Sequence, residues 1–460
     1  MEIFSLHFLY LFLPVTILIY YLLPRRSCQW KNAFLLLVSL AFYGLSAPGF
    51  LPVLCLLAVS DYLLGRGLER LSVLPQQSVA AELRQKRLRK LLLGAGLVKN
   101  LGLLLLLEIL DQLGTLRGKA IPLGLLVYVF TACGYLIDVY KRDVSSEKNL
   151  FDYALFGLLF CKCHNGPLVR YDQMGEQLKG RRASLSGIST GIVLLIRGLA
   201  KYGILARNLQ NIYLQAKSIG AEEPSMLGSW MIVVTLALTV FFRLSGYCDM
   251  ARGLGHIFGF ELPKNFYYPY QSQGMSDFSY RFNMTVSRFF RHYVYDALGT
   301  SDRGVLPLIL NTSLVSMLMG LWFGIRLNYI LWGLYIAFFA LLEELWLEKY
   351  LRKIPAFFTR TYTFVLAMLS FVIFGGDSVK QSLEYIRYMF GGGDLLYSGS
   401  IVYLIGSNYL LLILSLLFST SLFSRVGGLL EKRFPLFFQL GTVAVNAALL
   451  LLLTGFMLVG

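Results

Sequence analysis

Apolar segments long enough to cross a lipid bilayer recur along nearly the whole of this 460-residue chain. A helix needs about 20 residues to span the bilayer core, and within lipid only helices and closed barrels satisfy their own backbone hydrogen bonds. We therefore predict an all-α, polytopic integral membrane protein with about 11–13 membrane segments. The apolar segments lie near 6–23, 32–46, 49–65, 91–110, 120–140, 187–206, 226–246, 304–325, 327–347, 358–376, 401–423 and 435–459.

The overall composition agrees with a membrane protein and excludes an ordinary soluble enzyme. Hydrophobic residues make up 56% of the chain and charged residues 15%, whereas soluble domains have about 45–50% and about 25%. The first apolar segment lacks a basic start and a small-residue cleavage site, so we interpret it as a retained helix. No linker or internal repeat divides the sequence, which predicts a single domain over residues 1–460 and gives an inverted-repeat transporter little support.

The net charge is +16, and the basic residues are concentrated in the loops between apolar segments. Arg25, Arg26 and Lys31 come after the first apolar segment, many basic residues lie within 65–90, and the loop at 46–48 is neutral. Basic loops stay in the cytoplasm, so the pattern predicts an outside N-terminus and a cytoplasmic connector at 65–90 with a short amphipathic helix. The expected partner of these charges is membrane lipid, and no nucleic acid is needed to explain them.

The cysteines and histidines do not form a metal-binding pattern. Cys161, Cys163 and His164 are close in sequence, but there is no second ligand cluster and the chain has four histidines. A structural zinc site takes four such ligands, so we predict no metal. The surrounding segment, 151–169, is apolar but interrupted by Lys162 and His164, and it is interpreted as a broken or re-entrant helix.

A polar block at 247–300 interrupts the apolar pattern and is the candidate for function. Ionisable groups at membrane depth are costly, and they persist where they are paired or line a wet cavity. Residues 277–293 are predicted to form one helix, capped by Ser276 or Asp277. Its apolar face would carry Phe278, Phe282, Val286, Phe289 and Tyr293.

The other faces of this helix favour a helix embedded in protein. A basic stripe would contain Asp277, Arg281, Thr285, Arg288 and His292, and a third face Tyr280, Asn283, Ser287 and Arg291. An interfacial amphipathic helix accounts for the basic stripe alone, but it leaves Asn283 and Ser287 unexplained. Upstream, Asp249 needs a partner, and a structural ion pair with Arg243 or Arg252 is favoured over a catalytic role.

Several ordered motifs resemble the membrane-bound O-acyltransferase family, in particular its bacterial alginate O-acetyltransferase branch. The central ones are SGYCDMARGLGHIFGFELPKNFYYPY at 245–270 and DFSYRFNMTVSRFFRHYVYDALG at 277–299. Others are YLIDVYKRD at 135–143, NGPLVRY at 165–171, MGLWFGIRLNYILWGL at 319–334 and FVIFGGDSVKQSLEYIRYMFGG at 371–392. The resemblance extends across nearly the whole chain.

The resemblance implies a bundle curved around a central cavity in the bacterial cytoplasmic (inner) membrane. Members of this branch move an acyl group from a cytoplasmic thioester toward an exported polysaccharide. An active enzyme would therefore use acyl-CoA or an acyl-carrier thioester as donor, with no bound cofactor. Expected partners are cell-surface glycan machinery or an extracytoplasmic acyltransferase. Expected cavity or substrate-binding residues are Asp249, Tyr270, Arg281, Ser287, Arg291 and Trp322.

Two positions depart from the family pattern. Where the family carries histidine, this chain has Asn283 and Phe323. Asparagine at the first position also occurs in eukaryotic lipid-acylating relatives, but a phenyl ring at the second cannot exchange a proton. We therefore favour a catalytically degenerate member. The alternatives are an active acyltransferase that uses Asn283 with a substitute base such as His164, and an unrelated transporter.

Overall fold

A computed structural model describes residues 2–24, 28–73, 78–114, 123–162, 166–299, 304–393 and 395–459. The helices of the first half of the chain follow in order. They are α1 (Leu13–Leu22), α2 (Cys28–Ser46), α3 (Leu51–Val73), α4 (Val79–Gln112), α5 (Leu123–Lys141), α6 (Leu150–Leu158), α7 (Tyr171–Gly180), α8 (Leu185–Ala200), α9 (Arg207–Glu222) and α10 (Met226–Ile257).

The second half is helical as well. Its helices are α11 (Met275–Arg281), α12 (Met284–Phe290), α13 (Asp296–Leu298), α14 (Val305–Leu321), α15 (Leu327–Leu342), α16 (Glu348–Leu351), α17 (Ala356–Gly375), α18 (Val379–Met389), α19 (Gly399–Phe418), α20 (Leu422–Arg433) and α21 (Pro435–Val459). Short π-helical turns at Phe8–Phe12, Lys201–Ala206, Arg291–Tyr295 and Glu343–Leu347 join or precede some of them.

The prediction of an all-α polytopic membrane protein is confirmed. Among the described residues, 9 helices are long and apolar enough to cross a membrane, and two shorter apolar helices lie at Phe8–Leu22 and Val305–Leu321. Together they reach the lower end of the predicted number of segments. The backbone groups of each span are bonded within the helix itself, as the hydrocarbon core requires.

The chain folds into two compact units. The first unit consists of Met1–Leu195 and Tyr247–Pro263, and the second of Ile196–Gly246 and Lys264–Gly460. The prediction of a single domain over 1–460 remains a prediction. In the first unit, the Tyr20 hydroxyl and the Arg181 guanidinium both donate to the Phe258 carbonyl, at 2.8 and 3.1 Å. These bonds tie the distant 247–263 stretch into the first unit.

Helices α3, α4 and α5 of the first unit meet at a buried carboxylate. The side chain of Asp61 is fully buried, and Lys99 Nζ lies 2.8 Å from its Oδ1. Asn100 Nδ2 donates to Oδ1 at 3.0 Å, and the Tyr128 hydroxyl donates to Oδ2 at 2.9 Å. The charge of Asp61 is thus paired and hydrogen-bonded, which is how ionisable groups persist in membrane helices.

In the second unit, α14 and α15 approach each other through glycines. A Cβ added at Gly320 would lie 2.0 Å from the Tyr329 carbonyl oxygen, and one at Gly333 would lie 2.1 Å from the Ser316 carbonyl oxygen. The sequence suggests Gly320 and Gly324 as a small-residue pair on one helix, but this is wrong. Gly324 follows the end of α14 with φ = 134°, so Gly333 on α15 supplies the second small residue.

Helices α3, α4 and α10 extend beyond the bounds expected from the sequence. Helix α3 continues to Val73 and α4 begins at Val79, so among the described residues the 65–90 connector holds extensions of these two helices and not a separate amphipathic helix. Helix α10 runs on to Ile257, and the first part of the polar block is therefore helical. Helix α6 ends at Leu158, and a short 3-10 turn at Phe160–Lys162 follows it.

The predicted orientation of the first unit has a direct test. Ala80, at the start of α4, and Gly49, before α3, are exposed positions on opposite sides of the membrane according to the charge pattern. In intact cells we expect an impermeant thiol reagent to label Gly49→Cys and to spare Ala80→Cys until the cells are lysed. The unsubstituted protein is the blank, and labelling of Ala80→Cys alone in intact cells would reverse the topology.

Candidate functional site

The polar block is built around a break in its helix. Helix α11 ends at Arg281 and α12 begins at Met284, with Asn283 between them in the left-handed conformation, φ = 65° and ψ = 57°. Asparagine tolerates this conformation better than most residues. The prediction of one continuous helix over 277–293 is therefore wrong. The N-cap position is Gly274, not Ser276 or Asp277.

The side chain of Asn265 stabilises this break. Its Oδ1 accepts from the backbone N–H and the hydroxyl of Thr285, both at 2.8 Å. Its Nδ2 donates to Asn283 Oδ1 at 2.8 Å, and its backbone carbonyl accepts from the Met284 N–H at 2.8 Å. The first N–H groups of a helix have no partner within the helix, so Asn265 provides for α12 what a capping residue normally provides.

Sequence reasoning missed the role of Asn265. The residue lies in a turn between Lys264 and Phe266, and its partners follow 18 to 20 residues later. Capping patterns are recognised over about three residues. No local sequence signal could therefore have found this contact.

The break redistributes the predicted faces of the helix. The apolar stripe stays intact, because Phe278, Phe282, Val286, Phe289 and Tyr293 are all buried. Thr285, expected on the basic stripe, is buried against Asn265. From the third face, Tyr280, Ser287 and Arg291 line a cavity, while Asn283 points into its contact with Asn265.

This cavity of about 710 Å³ lies within the second unit. Its walls come from α11, α12, the π-helical turn that follows, α14, and the α15–α16 region, and they mix hydroxyl, charged and apolar side chains. The lining residues are Gln273, Gly274, Ser276, Asp277, Ser279, Tyr280, Ser287, Arg291, Tyr295, Thr312, Val315, Ser316, Met319, Ile336, Ala340, Glu343, Glu344, Glu348, Leu351, Arg352 and Thr359.

Glu343 fixes one wall of the cavity by capping α11. Its two carboxylate oxygens accept from the Met275 N–H at 2.8 and 2.7 Å. A Cβ at Gly274 would lie 2.7 Å from Glu343 Oε2, so a larger residue there would have to displace the Glu343 carboxylate. Glu343 opens the π-helical turn after α15, a type of irregularity that is frequent at functional sites. Sequence reasoning missed this residue too, since its partner is 68 positions away.

Phe323 follows α14 in a turn, and its ring lies in an aromatic cluster. The ring centroids of Phe374, Trp332 and Tyr329 are 5.2, 5.6 and 6.2 Å from that of Phe323. The ring of Phe282, the neighbour of Asn283, lies 6.3 Å from Trp332. Asn283 and Phe323 are the two positions where the family resemblance expects histidine. The ring contacts of Phe282 and Trp332 connect them.

Asp377 lies three residues after Phe374 in the sequence and forms an ion pair. Its Oδ2 is 2.8 Å from Lys217 Nζ. The hydrogen bond from Lys217 lowers the pKa of Asp377, against an opposing effect of burial. A carboxylate with a lowered pKa is a weaker base than an ordinary one, so Asp377 is poorly suited to replace a histidine.

The remaining predicted site residues lie in separate surroundings. Asp249 pairs with Arg252 at 3.4 Å. Arg281 binds Asp277 at 2.7 Å within α11. The Tyr270 hydroxyl donates to the Ala237 carbonyl at 2.7 Å, in the aromatic core and not in the cavity wall. Trp322 is buried beside Phe323.

The proposed substitute base, His164, lies outside the described residues together with Cys163 and Asn165. Its neighbour Lys162 is buried at the end of the short turn after α6, and it donates to the Phe156 carbonyl. The structure therefore brings Ser287 and Arg291 to one cavity and links Asn283 with Phe323. The roles of all these residues remain predictions.

Comparison with known proteins places this site within a known family. Residues 129–383 match the model of the membrane-bound O-acyltransferase family, a range that contains Asn283, Phe323 and most of the cavity wall. A probable alginate O-acetylase of Pseudomonas fluorescens is 29% identical over 390 residues, covering 84% of this chain and 75% of the relative.

Two further relatives are named for different activities. A peptidoglycan O-acetyltransferase of Helicobacter pylori is 27% identical over 430 residues, covering 84% of this chain and 79% of the relative. A teichoic acid D-alanyltransferase of Bacillus subtilis is 26% identical over 275 residues, covering 55% and 67%. The proteins similar to this chain thus act on several cell-surface polymers.

Proposed function

Because this chain belongs to the membrane-bound O-acyltransferase family, we propose that it is a catalytically degenerate member associated with acylation or export of a cell-surface glycan. It is a multi-pass integral membrane protein, and we infer that it resides in the bacterial cytoplasmic membrane. In this role the fold serves as a scaffold that binds lipid or a partner. The relatives named for alginate, peptidoglycan and teichoic acid support the glycan context.

The surroundings of Phe323 carry this proposal. Acyl transfer from a thioester to a hydroxyl needs a base with a pKa near the working pH, a contribution worth about 10²–10⁴-fold in rate. The Phe323 ring packs against three other aromatic rings, Tyr329, Trp332 and Phe374. The Phe323 ring is half-buried in this cluster, where a phenyl ring contributes packing energy and no proton transfer.

Asn283 does not supply the missing base. A carboxamide has no proton-accepting function near neutral pH, and its oxygen already accepts from Asn265. Its left-handed backbone and its contact with Asn265 serve the break between α11 and α12. We therefore assign Asn283 to the scaffold.

The alternative is an active O-acyltransferase, and the cavity is the observation that favours it. A space of about 710 Å³ with hydroxyl and charged groups in its wall can hold a polar ligand, and Met319 in that wall shortly precedes Phe323 in the chain. In this alternative an acyl-CoA or acyl-carrier thioester is the donor, Asn283 orients the reacting groups, and His164 acts as the base.

A thioester assay separates the two functions. We expect purified full-length protein to transfer or hydrolyse the acyl group of acetyl-CoA no faster than a protein-free blank, with a relative that carries both histidines as positive control. Turnover abolished by Asn283→Ala would overturn the proposal. Turnover that survives Asn283→Ala and is lost in His164→Ala would identify His164 as the substitute base.

If no turnover is found, partner binding becomes the function to test. A degenerate member retained for glycan modification needs a partner that supplies the chemistry, and an extracytoplasmic acyltransferase fits this need. Asn283→Gly, which accepts the left-handed backbone of this position, should then leave the cellular phenotype nearly unchanged, whereas deletion of the whole chain should remove it.

A further inference from the structure

Helix α4 is the least enclosed helix of the first unit that could span a membrane. Only 11% of its most apolar window is buried inside the protein. Its 34 residues extend for about 50 Å at 1.5 Å per residue, well beyond the roughly 30 Å of a hydrocarbon core. The apolar part begins at Leu91, so the turns that carry Arg87 and Lys90 fall at the level of the lipid headgroups.

A groove runs along this exposed face, from the cations into the apolar part. It is a shallow, open depression lined by Arg87, Lys90, Leu91, Gly94, Ala95 and Val98, all of them on α4. These spacings of three and four residues place all six on one side of the helix. A Cβ at Gly94 would have no atom within 4 Å, so the missing side chain leaves an open depression.

A second hollow adjoins the first deeper along the helix. It measures about 490 Å³, shares Ala95 with the groove, and is lined by side chains of α3 and α4 that include Leu63, Leu64 and Leu92. Lys99 also lines this hollow, and its charge is engaged by Asp61. The path from Arg87 to Val98 is therefore cationic at one end and apolar for the rest of its length.

The two cations at the mouth differ from Lys86 and Arg89, the basic residues next to them in the sequence. Lys86 pairs with Glu82 at 2.6 Å, and Arg89 donates to the Tyr140 carbonyl with its guanidinium 5.0 Å from the Tyr140 ring. Within the part of the chain that the structure describes, no carboxylate forms an ion pair with Arg87 or Lys90. Both side chains are exposed.

We propose that this groove binds an anionic glycerophospholipid of the cytoplasmic leaflet. The negatively charged headgroup lies between Arg87 and Lys90, and one acyl chain runs past Gly94, Ala95 and Val98. Charge complementarity selects the occupant, because basic residues next to a membrane helix attract anionic lipid and a zwitterionic lipid brings no net charge. The groove shape adds specificity that a basic loop alone does not have.

Native mass spectrometry of the full-length protein tests the proposal, with palmitoyl-oleoyl phosphatidylglycerol and the matching phosphatidylcholine as probes. We expect a bound phosphatidylglycerol and little phosphatidylcholine. Arg87→Gln combined with Lys90→Gln should weaken phosphatidylglycerol binding about 30-fold, which corresponds to about 1 kcal/mol per cation. Gly94→Leu should weaken it by a similar factor although both charges remain, because the new side chain fills the groove.

Matched controls on the same helix distinguish a site from a basic surface. Arg84→Gln with Lys86→Gln removes two charges outside the groove, and Gly102→Leu adds the same bulk at another glycine with open space around it. Both controls should bind as the unsubstituted protein does. The proposal is overturned if the Arg84/Lys86 control lowers binding as much as the Arg87/Lys90 variant, or if Gly94→Leu has no effect.

Discussion

Asp61→Asn is expected to destabilise the protein by about 3 kcal/mol. The substitution removes the charge that Lys99 contacts at 2.8 Å, and it leaves one acceptor oxygen where Asp61 offers two to Asn100 and Tyr128. Leaving one partner of a buried pair unpaired costs about 3–5 kcal/mol, and the lower end applies because the Lys99 side chain is 32% exposed. Thermal unfolding in detergent should show Tm lowered by roughly 3 °C.

A double variant isolates the charge as the cause. Asp61→Asn together with Lys99→Met leaves no charge at the site, so most of the lost stability should return. Lys99→Met alone should also be destabilising, because it leaves the Asp61 carboxylate buried without its cation. Equal stability of Asp61→Asn and the unsubstituted protein would mean that the ion pair does not hold α3 and α4 together.

Gly320→Ala is expected to lower stability by about 3 kcal/mol or more. Its Cβ would lie 2.0 Å from the carbonyl oxygen of Tyr329, and the obstacle is backbone that no rotamer change can move. Helices α14 and α15 would have to separate, which exceeds the roughly 1–3 kcal/mol of ordinary overpacking. The same variant should also distort the turn that carries Phe323, because that turn directly follows α14.

Gly406→Ala provides the matched control for this substitution. Gly406 lies within α19, in the same unit, and a Cβ there would meet no atom within 4 Å. Alanine is a better helix former than glycine by about 1 kcal/mol, so this variant should be as stable as the unsubstituted protein or more so. A Gly320→Ala protein that unfolds at the same temperature as Gly406→Ala would contradict the close approach of α14 and α15.

The Asp61 and Gly320 sites show the same limit of sequence reasoning. Neither the partner of Asp61 nor that of Gly320 is evident from the sequence, although Asp61 and Gly320 both lie in recognisable apolar helices. Asp61 meets residues of α4 and α5, and Gly320 meets α15. Such partners depend on which helices are neighbours, and hydrophobic periodicity does not contain that information.

The family assignment illustrates the opposite case. The motifs at 245–270, 277–299 and 319–334 indicated a membrane-bound O-acyltransferase, and the family match over 129–383 confirms it. The same motifs located Asn283 and Phe323 by simple reading of the residues. That Asn283 and Phe323 take no part in proton transfer remains a proposal.

The sequence by itself determined that the chain is a polytopic all-α membrane protein, because only helices of sufficient apolar length satisfy their backbone groups in lipid. It also determined which face of the 277–293 region is buried, since that face is continuously apolar. The tertiary structure alone decided that this region breaks at Asn283, that Asn265 and Glu343 cap the two resulting helices, and that Gly333 is the partner glycine of α14. The physical reason is that these contacts join residues far apart in the sequence, where one side chain satisfies backbone groups that a local pattern leaves unpaired.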